Sequence, residues 1–268
     1  TWLREEPDID IFMRMPRNMP REVFGTVGLK IAKEATKGFR QVERFAEHPY
    51  LEAFVESTRV NIVPCYRVKP GEWISATDRT PFHTDYVKPK LNEQLRSEIR
   101  LLKRFMKGVG VYGAEIKVGG FSGYLCELLT LQYKSFVEVL KSAADLKKAW
   151  LIDYQGHYNG RESETLKIFE EPLVVVDPVD KGRNAASAVR KQCLIEFVAA
   201  SREFLKNPSL EFFYPRETKT LSARRLLNEI KKRRSTLVFV EFGRVKTVPD
   251  VLWGQLYKSQ KALKNLVD

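Results

Sequence analysis

Cysteine and histidine are scarce, with three of each in 268 residues. The cysteines, Cys65, Cys126 and Cys193, are odd in number and far apart, which argues against a disulfide framework and for a reducing, cytosolic compartment. No CxxC pair or His-rich tract occurs, so a structural zinc site has nothing to build on, and each thiol needs to be no more than a small buried hydrophobe. No run of about 18 or more apolar residues is present, which excludes an obvious membrane-spanning helix, and no basic segment leads into an apolar one near Thr1. Internal repeats and low-complexity tracts are also missing. Acidic residues are in deficit, 34 against 46 lysines and arginines, for a formal charge of +12. An excess of that size favours a polyanionic partner, nucleic acid before others. What is there is a chain 43% hydrophobic, able to bury a core in two or three domains.

The first ninety residues read as an α/β layer. "PDIDIFMRM", "YLEAFVES" and "TRVNIVPCYRV" alternate as strands, and "REVFGTVGLKIAKEATKG" between them has helical spacing. "YVKPKL" brings a proline and two lysines before the pattern turns helical, so a helical middle domain is expected from 91 to 210. Ile99, Leu102 and Phe105 or Met106 mark its first helix, and a second is expected over 122–142 with Ser122 as N-cap. "EEPLVVVDPVDKGRN" predicts a short strand and a turn, and "SAVRKQCLIEFVAASREFL" a helix carrying Cys193, Leu194, Phe197, Val198 and Phe204 inward. After the break at "NPSLEFFYP", "SARRLLNEIKKRR" reads as a helix and "STLVFVEF" as a strand, the start of an α+β unit over 211–268. The fold class expected is α+β in three units, 1–90, 91–210 and 211–268.

"DIDIF" carries the chemistry. Residues i and i+2 of a strand share a face, so Asp8 and Asp10 project together while Ile9 and Ile11 pack on the other side. At a rise of roughly 3.3 Å per residue the pair is spaced about 6 to 7 Å along the strand, a separation that hard, oxygen-liganded Mg²⁺ can bridge. That suits two-metal phosphoryl chemistry, in which a further carboxylate usually comes from a neighbouring strand. The pattern is short, and an edge strand with solvated acids would carry it equally well.

Together with the blocks downstream, this stretch resembles the archaeal-type (class I) CCA-adding enzymes, tRNA nucleotidyltransferases of the polymerase-beta superfamily. "TWLREEPDIDIF" looks like the end of their glycine-serine motif plus the metal strand, "VNIVPCY" like the second acidic strand and "DRTPFH" like the following loop. "RLLKRFMKGVGVYGAEIKVGGFSGYLCELL" and "VVVDPVDKGRNAASAV" are similar to their helical neck. The resemblance covers essentially all 268 residues. It implies a nucleotidyltransferase palm over 1–90, a neck over 91–210 and the start of a tRNA-binding body over 211–268. It also implies an N-terminally truncated chain, because the glycine-serine turn is expected just before Thr1.

By that resemblance Asp8 and Asp10 are the catalytic pair and Mg²⁺ ligands, and the third family carboxylate falls on Asn61. This is a departure: an amide offers a carbonyl oxygen to a cation but has no charge and cannot act as a base. Thr80, His83, Lys103 and Tyr112 are implied as triphosphate and ribose contacts, and Arg183 as helping to select C or A at the base edge together with phosphates of the bound tRNA, a task suited to its fixed fork of donors. Between 215 and 247 ten basic residues face three acids, and Arg224, Arg225, Lys231, Lys232, Arg233 and Arg234 are expected to meet an RNA backbone. The implied substrates are tRNA, CTP and ATP, in the cytoplasm, with Mg²⁺ as cofactor, no membrane partner and room for a homodimer. Two other classes stay open: a tRNA-binding module impaired in catalysis, and a poly(A) polymerase or oligoadenylate synthetase relative.

Overall fold

The computed structural model describes residues 1–3, 8–45, 47–147, 149–216, 222–234, 236–238, 240, 241, 243, 245 and 247–267. Residues 4–7, where the glycine-serine motif was expected to end and the first strand to begin, lie outside the described residues.

The first unit is a four-stranded sheet covered on one face by a helix. Strands β1 (Asp8–Met15), β2 (Arg40–Phe45), β3 (Pro49–Val55) and β4 (Thr58–Tyr66) lie in the order β1-β4-β3-β2. β1 runs parallel to β4, and the other pairs are antiparallel. Helix α1 (Arg21–Ala35) buries Phe24, Gly25, Gly28 and Ala32 against the sheet, and Ala32 meets Leu51, Val60 and Ile62. A Cβ on Gly25 would come within 2.7 Å of Pro49 Cδ, and one on Gly28 within 2.9 Å of Pro64 Cβ. Any side chain at either position would push the helix away from the sheet. β2 was not foreseen: "RQVERF" is an edge strand with charged, exposed residues, so its apolar alternation is too weak to read.

The core of the second unit is larger. Helices α2 (Thr80–Val87) and α3 (Glu93–Val109) lead in, with Asn92 capping α3 through Leu95 N and Gly110, at φ 86°, ending it. The single helix expected over 122–142 is two, α4 (Gly123–Tyr133) and α5 (Phe136–Ala144). Lys134 turns left-handed at φ 71°, and Ser135 caps the new start through Glu138 N. A second sheet holds β5 (Trp150–Ile152), β6 (Leu173–Asp177) and β7 (Asp180–Asn184), with the short α6 (Glu162–Ile168) between the first two. β6 is buried along its whole length. On α7 (Lys191–Lys206) Cys193, Leu194, Phe197 and Val198 face inward as expected, with Phe204 packed beside them. Phe105 is fully buried among Phe136, Phe197, Phe204, Phe212 and Phe213; truncating such a ring costs about 3 to 5 kcal/mol.

Beyond Pro215 the described residues hold two helices, α8 (Ala223–Lys232) and α9 (Pro249–Val267). Tyr257 of α9 donates to the Lys117 carbonyl at 2.6 Å and lies under the Arg190 guanidinium. The strand expected in "STLVFVEF" is not formed by its described residues, and Leu237, Val238 and Val240 stay exposed. An apolar run becomes a strand only where a ladder satisfies its backbone, and none is offered here among the described residues. No helix of the described residues is long and apolar enough to cross a membrane.

Candidate active site

A cavity of about 650 Å³ opens between β1 and helices α2, α3 and α4, lined among others by Asp8, Asp10, Arg59, Lys103, Tyr112 and Tyr124. The strand period places Asp8 and Asp10 on the sheet face away from α1. The expectation for the alternate residues fails: Ile9 and Ile11 are 51% and 47% exposed. β1 is an edge strand, and α1 is centred over β3 and β4, so the isoleucines project past its cover.

Both carboxylates are engaged from β4. Arg59 Nη2 donates to Asp8 Oδ2 at 3.0 Å, and Asn61 Nδ2 donates to Asp10 Oδ1 at 2.7 Å. Partial burial works against the charge on Arg59. The hydrogen bond to Asp8 and the negative charges of Asp8, Glu52 and Asp10 outweigh it and raise the pKa. Asn61 is register partner to Asp10 on one side and to Glu52 on the other, so Asp10, Asn61 and Glu52 form a row across three strands. Glu52 is buried and takes the Arg44 Nε at 2.8 Å.

The carboxylate oxygens of Asp8 and Asp10 suit a hard cation, and Asn61 Oδ1 is buried with no hydrogen-bond partner among the described residues, open to one. The set is poor in charge, however. Asp8 and Asp10 are offset by Arg59, Asn61 adds nothing, and no three His, Cys, Asp or Glu side chains among the described residues converge as a metal site. The residues present fit a single Mg²⁺ held by Asp8 and Asp10 better than a pair of ions.

Across the cavity Lys103, on α3, is 4% exposed. Its Nζ lies 3.6 Å from Glu127 Oε1 and donates to the Thr1 carbonyl at 2.6 Å. Burial alone would raise the Glu127 carboxyl, and the Lys103 ammonium beside it pulls the other way. A Cβ on Gly123, the first residue of α4, would stand 3.2 Å from both Lys103 Nζ and Tyr112 Oη. The missing side chain thus leaves an ammonium and a phenol converging on a helix N-terminus, an arrangement that favours anions. Burial pushes the Tyr112 phenol up, so it stays a hydrogen-bond donor.

His83 and Arg183 meet at Asp177, the last residue of β6. Asp177 Oδ2 accepts from His83 Nε2 at 2.9 Å and from Arg183 Nη1 at 2.6 Å. Its Oδ1 accepts from Tyr124 Oη at 3.2 Å and Val179 N at 3.0 Å. Burial alone would raise its carboxyl; the His83 hydrogen bond, with Val179 N and Arg183, holds it below the ordinary value. Tyr124 stacks on the His83 ring at 4.0 Å and lines the cavity, so this network adjoins the carboxylates. Thr80 opens α2 one turn before His83.

Asp8, Asp10, Lys103 and Tyr112 therefore share one cavity, with His83 and Arg183 joined to it through Tyr124. Arg224, Arg225, Lys231, Lys232, Arg233 and Arg234 do not line the cavity; all six are exposed on α8 and the turn after it. Sequence reading passed over Asp177, Tyr124, Glu127, Arg59 and Glu52. Only Asp177 had a signal, an acid closing the apolar run "LVVV".

Residues 97–214 match the family model described as tRNA nucleotidyltransferase, second domain. The CCA-adding enzyme of Sulfurisphaera tokodaii is 42% identical over 270 residues, covering 100% of this chain and 61% of that protein. The CCA-adding enzyme of Methanosarcina barkeri is 43% identical over 269 residues, covering 100% and 58%. The chain thus spans about 60% of the length of these relatives. The fold is similar to that of a cytoplasmic RNA terminal U-transferase, with TM-score 0.54 and 14% identity over 80% of this chain and 81% of that one. The Cid1 poly(U) polymerase aligns at TM-score 0.53 and 14% identity over 78% of each. Along its whole length the chain is thus similar to archaeal CCA-adding enzymes, and over residues 97–214 it matches the second domain of the tRNA nucleotidyltransferases.

Proposed function

We propose that the protein adds C, C and A to tRNA 3′ ends without a template, using CTP and ATP and releasing pyrophosphate. The observation that carries the reading is one cavity with Asp8 and Asp10 on one wall and the Lys103–Tyr112 pair at the start of α4 on the other. Relatives named CCA-adding enzyme support the product.

In this reading Asp8 and Asp10 hold Mg²⁺, which supplies Lewis-acid stabilisation of charge at the reacting phosphate. Lys103 and Tyr112, with Gly123 keeping the space between them clear, take phosphate oxygens. Thr80 and His83 add directional contacts from α2, and Arg183 presents its donors to the base edge. The Asn61 amide takes one acceptor position on Asp10 Oδ1, and the remaining lone pairs of that carboxylate would serve the cation and the attacking 3′-hydroxyl. We place the palm at 1–90, the neck at 91–210 and the start of the body at 211–268. The six basic residues of α8 and its turn lie along the tRNA backbone, where each neutralised phosphate adds salt dependence.

A second reading keeps tRNA binding and loses chemistry. It is favoured by Asn61 and by Arg59 standing on Asp8. Incubation with CTP, ATP, Mg²⁺ and a tRNA lacking its CCA end separates the two. Extension by three nucleotides is expected; salt-sensitive tRNA binding without incorporation would establish the second reading, and an unbroken run of A would indicate a poly(A) polymerase.

A further inference from the structure

We propose that Asp177 is a positioning residue that couples triphosphate placement by His83 to base selection by Arg183. The inference rests on the nucleotidyltransferase reading and adds to it a residue that touches neither phosphate nor base.

A carboxylate has about four acceptor positions, and Asp177 fills them with His83 Nε2, Arg183 Nη1, Tyr124 Oη and Val179 N. It is fully buried, so water does not substitute for a donor that leaves. The four donors come from α2, β7, α4 and the β6–β7 turn. His83 and Arg183 share a single oxygen, Oδ2, at 2.9 and 2.6 Å.

Two consequences follow from that sharing. His83 is fixed twice, by the hydrogen bond at Nε2 and by the Tyr124 ring stacked at 4.0 Å, so its orientation depends on where Asp177 sits. Arg183 spends one Nη1 donor on Asp177, so the direction in which its remaining N–H groups face a base edge is set by the oxygen that also holds His83. An adjustment at the base is therefore felt at the imidazole. A further bond from Arg79 Nη1 to Asp180 Oδ2 at 3.2 Å ties the segment before α2 to the same hairpin, so the two move together. Buried polar networks of this kind respond as a unit when one member is removed.

The test is CTP and UTP binding by the intact protein, measured by equilibrium dialysis with labelled nucleotide for wild type, His83→Ala, Arg183→Ala and the double variant. Coupling predicts that the double variant loses at least fivefold less affinity for CTP than the product of the two single losses. Asp177→Asn, whose amide turns N–H donors toward donors, should weaken CTP tenfold or more and reduce preference for CTP over UTP. Its tRNA affinity should stay within twofold, whereas a merely structural loss would lower both together. Should Asp177→Asn fail to fold, the His83/Arg183 cycle decides alone. Single losses that multiply, or an Asp177→Asn variant with wild-type affinity and selectivity, overturn the coupling. A wild type that binds tRNA but neither CTP nor ATP overturns the nucleotidyltransferase reading with it.

Discussion

Replacing Asn61 by Asp restores the carboxylate that the family resemblance places on β4, and its cost follows from the hydrogen bond between Asn61 Nδ2 and Asp10 Oδ1 at 2.7 Å. In the variant two carboxylate oxygens face each other there, with Glu52 as the next acid in the row. Losing a hydrogen bond to a charged group costs about 1.5 to 3 kcal/mol. Like charges at about 4 Å repel by about 4 kcal/mol at an effective dielectric of 20, an upper figure because the side chains can rotate apart or share a proton. A net destabilisation of about 2 to 3 kcal/mol without divalent ions is expected, which for a chain this long lowers Tm by roughly 4 to 12 °C. Mg²⁺ reverses the sign of the interaction, and at a hundredfold excess over Kd it returns about 2.7 kcal/mol. Thermal melts in EDTA and across a MgCl₂ titration read both halves, with a larger Mg²⁺-dependent rise for Asn61→Asp than for wild type. A variant as stable as wild type in EDTA, or one whose Tm ignores Mg²⁺, would show that Asn61 does not face the cation site.

Gly123→Ala puts a methyl 3.2 Å from Lys103 Nζ and Tyr112 Oη. Nucleotide affinity should fall about tenfold, equal to about 1.4 kcal/mol, with helix content unchanged by circular dichroism; unchanged nucleotide binding would remove this pair from the site. Asp177 has a depressed pKa, so its stabilising effect is complete above the unfolded value of about 3.9 and is lost as pH falls through the lower folded value. Acid unfolding followed by near-ultraviolet circular dichroism should therefore set in below about pH 4, and onset near pH 6 would implicate histidine instead. Alanine at Arg224, Arg225, Lys231 and Lys232 together should weaken tRNA binding and flatten its dependence on log salt by about 0.9 for each phosphate that is no longer neutralised. A slope equal to that of wild type would place the RNA elsewhere.

The acidic strand, α3 and α7 were legible because each has a strong period: the DIDIF alternation, the Ile99–Leu102–Phe105 stripe and the Cys193–Phe197 stripe. β2 was illegible because an edge strand needs no apolar face. The break at Lys134 was hidden because "YKSF" carries neither proline nor glycine, and only the left-handed turn reveals it. "STLVFVEF" shows the opposite failure, an apolar run with strand chemistry and no ladder among its described residues. In the site, residue types announced Asp8 and Asp10, but whether a lysine is buried or exposed is a property of its neighbours, so Lys103 rested on resemblance. Asp177 could not be weighed as a hub from sequence, since its donors lie on three other elements and are 94, 53 and 6 residues distant.

The position of β1 at the rim of its sheet has a practical bearing on how inactivating variants are interpreted. Among the described residues no strand pairs with its outer side, which is flanked by exposed Ile9 and Ile11, and Asp8 and Asp10 put negative charge beside it. Charge of this kind discourages strand-to-strand association between molecules. Asp8→Asn and Asp10→Asn, the natural choices for testing the proposed chemistry, would also remove the acids beside the exposed isoleucines and leave Arg59 without its Asp8 partner, changing the charge of the rim. Loss of incorporation in those variants is evidence about chemistry only when light scattering shows that the protein is still monodisperse.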